Sequence, residues 1–275
     1  MSKFKIYIIG ENPSKGARSP LLWNMAFSNY GLEYRMNSLD IPLNQKLNST
    51  IIKIFNDPFF IGGAVTAPYK EKVAKILKNN LTTEAKRIGA VNCLFRKNNE
   101  IYGTNTDGEA LLESIKLNYG EIKTKKILIL GYGGAGKAIA AYISQELMGA
   151  KGRLDVAVRY IKSKKLYNFL NFDELKNVIQ NYHIIINATS VGFGDLINKS
   201  PINLNLFKRI NKNAFIYDII YNPSETLLIR YAKKFNIDYL NGKDMNLRQA
   251  VLAFHYVIKE ETDHQKTFKF MNQII

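Results

Sequence analysis

The chain of 275 residues is poor in several things, and each shortage closes a class of function. It has one cysteine, Cys93, so no internal disulfide can form and no cysteine-based metal cluster can be built. Its three histidines, His183, His255 and His264, lie far apart and follow no HxH or HExxH spacing, so the sequence supports no metal site. No apolar run is long enough to cross a bilayer, and the residues after Met1 do not form a charged-then-apolar leader. The expected compartment is therefore the cytoplasm. There is no GxSxG, which leaves a serine hydrolase without support. No tract is low in complexity and no segment repeats.

What remains is a well-furnished globular composition. Hydrophobic residues make up 46% and aromatic residues 12% of the chain, enough for a real core and unlike a disordered protein. The formal net charge is +16. A basic surplus can serve nucleic acid or an anionic substrate. Here the lysine pairs Lys125–Lys126, Lys164–Lys165 and Lys233–Lys234 are scattered and make no single stripe. Abundant Lys, Asn and Ile together read as a compositional bias of the whole surface. Nucleic-acid binding would reveal itself by steep weakening with salt. Trp23 and its aromatic neighbours fit a core helix better than a binding box. His183 and His255 read as satisfied structural histidines.

Along the chain, strands and helices alternate. KFKIYIIG reads as a strand ending in glycine, and SPLLWNMAFSNYGL as a helix with Ser19 at the N-cap, Pro20 at the first helical position and Gly31 as the stop. Strands follow near Tyr34–Leu39, Phe60–Val65, Ala90–Arg96 and Glu100–Thr104, with a helix over Leu43–Phe55 and another opened by Pro68 and running to about Leu77. A helix starts at Asp107. KILIL, RLDVAVR, HIIINATS, AFIYDIIY and NIDYL then read as buried strands, with a helix at Ser224–Phe235. MNLRQAVLAFHYVIKE closes as an amphipathic helix. The pattern predicts an α/β protein of two domains. Residues 1–107 form the substrate-binding catalytic domain, to which 246–275 return. Residues 108–245 form a doubly wound, Rossmann-type dinucleotide-binding domain. The cleft between the two is the expected site.

GYGGAG follows KILIL directly and opens a helix. Gly131 permits a tight turn, Gly133 lets backbone approach a pyrophosphate, and Gly136 allows close helix–strand packing, while Gly134 and Ala135 begin a helix whose free N–H groups suit phosphate. The run is not a Walker A loop, because Lys137 is wrongly spaced and no Ser or Thr follows it. The next strand, VAVRYIKSKK, ends in Arg159, followed by Lys162, Lys164 and Lys165. An acid there would read NAD, and an arginine reads NADP. Asp155 lies inside the strand, too early to reach the ribose. NADP is the expected cofactor.

Two further stretches stand out. GGAVTAPYK carries Lys70 near the start of a helix, and NTDG carries Asp107 at the start of another. Taken singly, the first is a solvated lysine and the second a helix cap. Together with RSP (18–20), IGAVN (88–92), GYGGAGKA (131–138), NATSVG (187–192), DIIYNPSETLL (218–228) and GKDMNLRQAVLAF (242–254), they give the chain a resemblance to the shikimate dehydrogenase family that runs nearly end to end. That resemblance implies NADP-dependent, reversible reduction of 3-dehydroshikimate to shikimate, a step of aromatic biosynthesis. It makes Lys70 and Asp107 the catalytic pair. The chemistry agrees: hydride delivery to a ketone leaves an alkoxide, which a positioned ammonium stabilises and protonates, and a carboxylate holds that ammonium in place.

The resemblance also implies substrate contacts at Ser19 and Thr66 toward a carboxylate, Asn92 and Gln249 toward hydroxyls, and Tyr221 beside the ring. It places the cofactor against Asn187, Thr189, Ser190 and Val191, with Gly242 and Met245 beside the nicotinamide. The implied partner is a small cyclic hydroxy acid, with no nucleic acid and no membrane, and a homodimer is compatible with it.

Three departures qualify the substrate. The family's His-Ser-x-Ser-Pro is Gly16-Ala17-Arg18-Ser19-Pro20 here, its Asn-Val-Thr is Ala64-Val65-Thr66, and its Met-Leu is Met245-Asn246. Losing a hydroxyl that binds a charged group costs ~1.5–3 kcal/mol. Either Arg18 or Lys15 takes the carboxylate, or the substrate is quinate-like or another cyclic polyol. A relative that binds NADP(H) without turnover is the remaining alternative, and the intact pair of Lys70 and Asp107 argues against it.

Overall fold

The computed structural model describes residues 3–43, 46–161 and 166–274. Lys162, Lys164 and Lys165 lie outside the described residues. The chain divides into two compact units, residues 1–110 with 247–275 and residues 111–246.

The first unit is built on five strands: β1 (Lys5–Gly10), β2 (Met36–Asp40), β3 (Phe60–Val65), β4 (Cys93–Lys97) and β5 (Glu100–Thr104). They stand in the order β2-β1-β3-β4-β5, with β1 parallel to both neighbours and β4 antiparallel to both of its own. The strand alternation sorts the side chains. Ile6 and Ile8 of β1 join one core cluster, Ile9 joins another, and the two clusters lie on opposite faces. One face is covered by α1 (Ser19–Tyr30), whose Leu22, Trp23, Ala26 and Phe27 are buried. The other is covered by α2 (Leu47–Phe55) and α3 (Lys70–Leu77), through Ile51, Val73 and Leu77. The short α4 (Thr83–Ile88), capped by the Thr82 hydroxyl on Ala85 N–H, leads back into the sheet. Helix α5 (Asp107–Asn118) follows β5.

The second unit holds six strands: β6 (Lys126–Leu130), β7 (Arg153–Val158), β8 (Asn168–Asn171), β9 (Ile184–Asn187), β10 (Phe215–Asp218) and β11 (Asp238–Leu240). All pairings are parallel, in the order β11-β10-β9-β6-β7-β8. Counted from β6 as the first strand, that is the doubly wound order whose direction reverses between β6 and β9. Both faces are apolar, as parallel sheets require. Leu128, Leu130, Ile185 and Ile216 pack with residues of α7 (Leu175–Val178), α8 (Leu204–Phe207) and α9 (Leu227–Lys234). Ile127, Ile129, Ile184 and Ile186 are as fully buried, with the opposite parity. Helix α6 (Gly134–Glu146) follows β6.

Two C-terminal helices finish the chain, α10 (Lys243–Val257) and α11 (His264–Asn272). Phe254 of α10 packs against α1, its ring centroid 5.3 Å from that of Trp23, edge-on, and 5.2 Å from that of Phe27. The division between units falls inside α5 and α10. No helix among the described residues is long and apolar enough to cross a membrane.

Several local expectations need correction. Ser19 is the first residue of α1 and not its N-cap; Arg18 precedes it, and no side chain caps the end. Pro68 stands in the turn before α3, whose first residue is Lys70. Strand β8 and helices α4 and α11 were not foreseen. Each is short or weakly apolar, and β8 is the edge strand of its sheet, where burial leaves the faintest pattern.

Candidate active site

Lys70 and Asp107 sit on different elements of the first unit, and local chemistry fixes both. Thr66, at the end of β3, donates its N–H to Ile9 O (2.8 Å) and accepts Tyr69 N–H (3.0 Å), which turns the chain into α3. Tyr69 is buried, and its hydroxyl donates to Ile41 O at 2.5 Å. Lys70 follows as the first helical residue, with its carbonyl accepting Val91 N–H (2.9 Å). On the other side, Asn105 turns the chain into α5: its amide donates to Ala90 O (3.1 Å) and its Oδ1 accepts Asp107 N–H (3.0 Å). Asp107 is therefore not the cap that its position suggested. It is the first residue of α5, its N–H is taken by Asn105, and the carboxylate is left for other work.

The ammonium of Lys70 reaches Asp107 Oδ2 at 2.5 Å, with 20% of the lysine side chain and 5% of the aspartate side chain exposed. The other carboxylate oxygen accepts the Asn92 amide at 2.8 Å. Asn92 is 2% exposed, and its nitrogen also lies 3.0 Å from Thr106 Oγ1 and 3.3 Å from Gln249 Oε1. Its Oδ1 accepts Thr106 N–H at 2.9 Å, and the Thr106 hydroxyl donates to Gln249 O at 3.1 Å. Lys70, Asp107, Asn92, Thr106 and Gln249 thus form one network. A carboxylate so placed holds the ammonium where it can give and take a proton.

Thr66 is half-buried at the end of β3, and Ser19 is buried at the start of α1. At the departures, Ala64 is buried in β3 opposite Cys93, and Ala17 packs against the core cluster that contains it. Thr106 was missed by sequence reasoning. Its signal was its place in NTDG, next to the acid.

The second unit carries the glycine turn. Gly131 has φ +97°, and a Cβ there would lie 2.7 Å from Thr189 Cγ2. A Cβ on Gly136 would meet Gly131 O at 2.4 Å, so β6 and α6 approach as closely as only glycine permits. A Cβ on Gly133 would meet nothing within 4 Å. The turn is thus closed on its packing side and open at Gly133, beside the first residues of α6, Gly134 and Ala135. It fits a dinucleotide's pyrophosphate. Arg159 is exposed immediately after β7. Asp155 is engaged within the fold: its carboxylate accepts Tyr182 OH (2.6 Å), Asn168 (2.9 Å) and Arg153 (2.9 Å). No acid there is free to read a ribose.

Asn187 ends β9 fully buried, and its Oδ1 accepts both the N–H (3.0 Å) and the hydroxyl (2.7 Å) of Thr189. Its amide donates to Val191 O (3.2 Å), and Val191 N–H returns to Thr189 Oγ1 (3.1 Å). Ser190 is exposed at the tip of this loop, Tyr221 is half-buried, and Gly242 and Met245 are buried. His183 and His255 are satisfied, the first by Lys126 N–H (3.0 Å), the second by the Thr262 (3.2 Å) and Thr267 (3.1 Å) hydroxyls. No group of three or more metal-ligating side chains occurs among the described residues.

Residues 8–94 match the family model described as the shikimate dehydrogenase substrate binding domain. The chain is 32% identical over 263 residues to the shikimate dehydrogenase (NADP(+)) of Caldanaerobacter subterraneus subsp. tengcongensis, covering 92% of this chain and 91% of that protein. The chain belongs to the shikimate dehydrogenase family. Solved structures agree. Shikimate dehydrogenase 1 from Peptoclostridium difficile superposes with a TM-score of 0.86 at 28% identity, over 98% of this chain and 97% of that one. The shikimate 5-dehydrogenase from Thermus thermophilus, solved in complex with NADP(H) and shikimate, superposes with a TM-score of 0.80 at 25% identity, over 99% and 100%.

Proposed function

We propose that this chain catalyses the NADP-linked, reversible reduction of 3-dehydroshikimate to shikimate. The observation that carries the reading is the Lys70 ammonium held 2.5 Å from the buried Asp107 carboxylate. Family membership supplies the substrate class. The first unit takes the cyclic hydroxy acid and the second the dinucleotide.

As the ketone is reduced, its oxygen gains a proton from Lys70 Nζ, and in the reverse direction Lys70 accepts the proton of the alcohol. Asp107 holds the amine in both directions and takes no part in bond making. Asn92 and Gln249 bind ring hydroxyls, Ser19 and Thr66 face the carboxylate, and Tyr221 lies against the ring. NADPH, when bound, supplies the hydride. Gly131, Gly133, Gly134, Ala135 and Gly136 would hold its pyrophosphate, Arg159 its ribose phosphate, and Asn187, Thr189, Ser190, Val191, Gly242 and Met245 its nicotinamide side. The enzyme works in the cytoplasm, on a small cyclic hydroxy acid and not on nucleic acid or membrane, and a homodimer is compatible with this reading.

A second substrate reading has its own support. Ala17 and Ala64 replace two polar family residues, and both are absorbed into apolar packing. That favours a substrate whose carboxylate is held by Arg18 or Lys15, or a quinate-like polyol. One assay decides: shikimate, quinate and related cyclic hydroxy acids, each with NADP⁺ and NAD⁺, followed by absorbance of the reduced nicotinamide. Shikimate with NADP⁺ is the expected best pair. Faster turnover of quinate moves the substrate within the family. No turnover of any of them, with NADPH still bound, overturns the enzymatic reading.

A further inference from the structure

Asp218 ends β10 beside Asn187 at the end of β9, the two being register partners. Its carboxylate is fully buried and belongs to none of the roles above. Oδ1 accepts the Asn187 amide (3.0 Å) and Ile220 N–H (3.1 Å), and Oδ2 accepts the Thr226 hydroxyl (2.6 Å). Each partner governs a different stretch of backbone. Asn187 holds the 187–191 loop through Thr189 and Val191. Ile220 lies in the loop that carries Tyr221. Thr226 caps α9, its Oγ1 accepting Ile229 N–H at 3.3 Å. The 219–221 stretch is gripped from its far side as well. Gly242 N–H donates to Ile220 O (3.0 Å), and a Cβ on Gly242 would fall 1.9 Å from Ile219 O. Thr189 in turn lies against Gly131 of the pyrophosphate turn. One carboxylate therefore ties together the pieces of the second unit that lie at the carboxyl ends of its central strands.

We propose that Asp218 is a positioning residue for the cofactor, its carboxylate locking the 187–191 and 219–226 loops into the shape that binds NADP(H). The inference rests on the dinucleotide reading of the second unit. Asp218 touches no ligand and acts only through Asn187, Ile220 and Thr226. A charged acceptor strengthens each of those bonds relative to a neutral one. Every group facing it is neutral: the Asn187 amide from β9, the Ile220 N–H from its own loop, and the Thr226 hydroxyl from the start of α9. Among the described residues no ammonium or guanidinium bonds to it, and burial pushes the carboxyl up to about 6. A protonated acid and an amide can each offer one acceptor at the Oδ1 position and one donor toward a reversed Thr226 hydroxyl. The neutral acid should thus behave as asparagine does.

The test is NADPH fluorescence titration of the wild type, Asp218→Asn and Asp218→Ala from pH 5 to 8, with melting followed in parallel. Asp218→Ala removes all three acceptors and is expected to weaken NADPH binding about tenfold or more at every pH. Asp218→Asn is expected to bind about three- to tenfold more weakly than wild type at pH 8. Its Kd should converge on the wild-type value at pH 5, where the wild-type acid is itself neutral. Because the two proteins are compared at each pH, titration of the cofactor's own phosphate cancels. A lowered melting temperature with unchanged Kd in Asp218→Ala would make the residue merely structural and overturn the inference. So would a wild-type-to-Asn Kd ratio of one at pH 8, which decides the matter even if the alanine variant does not fold. Wild type that fails to bind NADPH at all overturns the dinucleotide reading and this inference together. Wild type that binds NADPH while both variants match it overturns this inference alone.

Discussion

Asp107 and Asp218 are buried carboxylates, one in each unit, that share an asparagine amide as donor and differ in the charge of the rest. Asp107 in the first unit accepts an asparagine amide and an ammonium. Asp218 in the second accepts an asparagine amide, a backbone N–H and a hydroxyl, all neutral. Both geometries are tight. Yet neutral donors cannot balance the cost of burying charge as an opposite charge does, and Asp218 ionises only near pH 6. The first site is built to keep a charge pair at hand, which proton transfer needs. The second is built to hold loops, and there the charge strengthens bonds that a neutral acid would still make in part.

The largest expected effect falls on the member that only one site has. Lys70→Ala removes the proton donor and should lower kcat by ~10²–10⁴ while leaving NADPH affinity unchanged, as read by steady-state kinetics beside a binding titration. A fall in kcat of less than tenfold would mean that another group moves the proton.

Next comes the carboxylate held by neutral donors. The Asp218 carboxyl ionises at about 6 in the fold against an ordinary 3.8. The fold therefore binds a proton that the open chain releases between those values, so this residue's contribution to stability falls as pH rises from 4 to 7. The difference amounts to about 3 kcal/mol. Urea unfolding of wild type and Asp218→Asn should give curves that diverge with pH, the wild type gaining on the variant as pH falls toward 4. Parallel pH profiles would show that the carboxylate is better solvated than its burial implies.

Asn92 sharpens the comparison, because its amide holds Asp107 as the Asn187 amide holds Asp218. Asn92→Ala leaves Thr106 N–H without its acceptor and Asp107 with one donor fewer, at a cost of about 1–3 kcal/mol in stability. It should also lower kcat more than it raises the Michaelis constant for NADPH. If only the substrate Michaelis constant moves, Asn92 binds substrate and does not position Asp107.

How far the sequence carried this reading depends on where the signal lay. The glycine turn was legible because close approach and positive φ leave few residue choices, and Gly131 and Gly136 stand where that geometry demands them. The strands of the second unit were legible because both faces are apolar. Taken singly, Asp107 reads as a cap, since any acid at a helix start looks alike; the resemblance makes it half of the catalytic pair, and in the fold its N–H goes to Asn105, two residues earlier. Asp218 opens DIIYNPSETLL without a signal of its own. A buried acid at a strand end has no period and no spacing to reveal it; its partners come from positions 187 and 226, which only the folded sheet brings near. Strand β8 escaped for the opposite reason: it is four residues at a sheet edge, and only Phe169 and Leu170 in it are apolar.

The smallest effect sharpens a contrast inside the second unit, between Arg159, exposed just beyond β7, and Asp155, buried within it. A residue past the end of the strand can meet a ribose phosphate; one whose carboxylate is occupied by Tyr182, Asn168 and Arg153 cannot. Arg159→Ala should therefore weaken NADPH about tenfold, roughly 1.4 kcal/mol, and leave NADH unchanged. Asp155→Asn should do the reverse of that pattern: it should lower the unfolding midpoint, because Tyr182 and Arg153 lose a charged acceptor, and leave the ratio of NADPH to NADH affinity where it was. Paired titrations with the two cofactors separate the two cases. An Arg159 variant that loses both cofactors equally would mean that the guanidinium supports the fold of the strand end and reads no phosphate, and the preference for NADP would then have to come from the lysines that follow it.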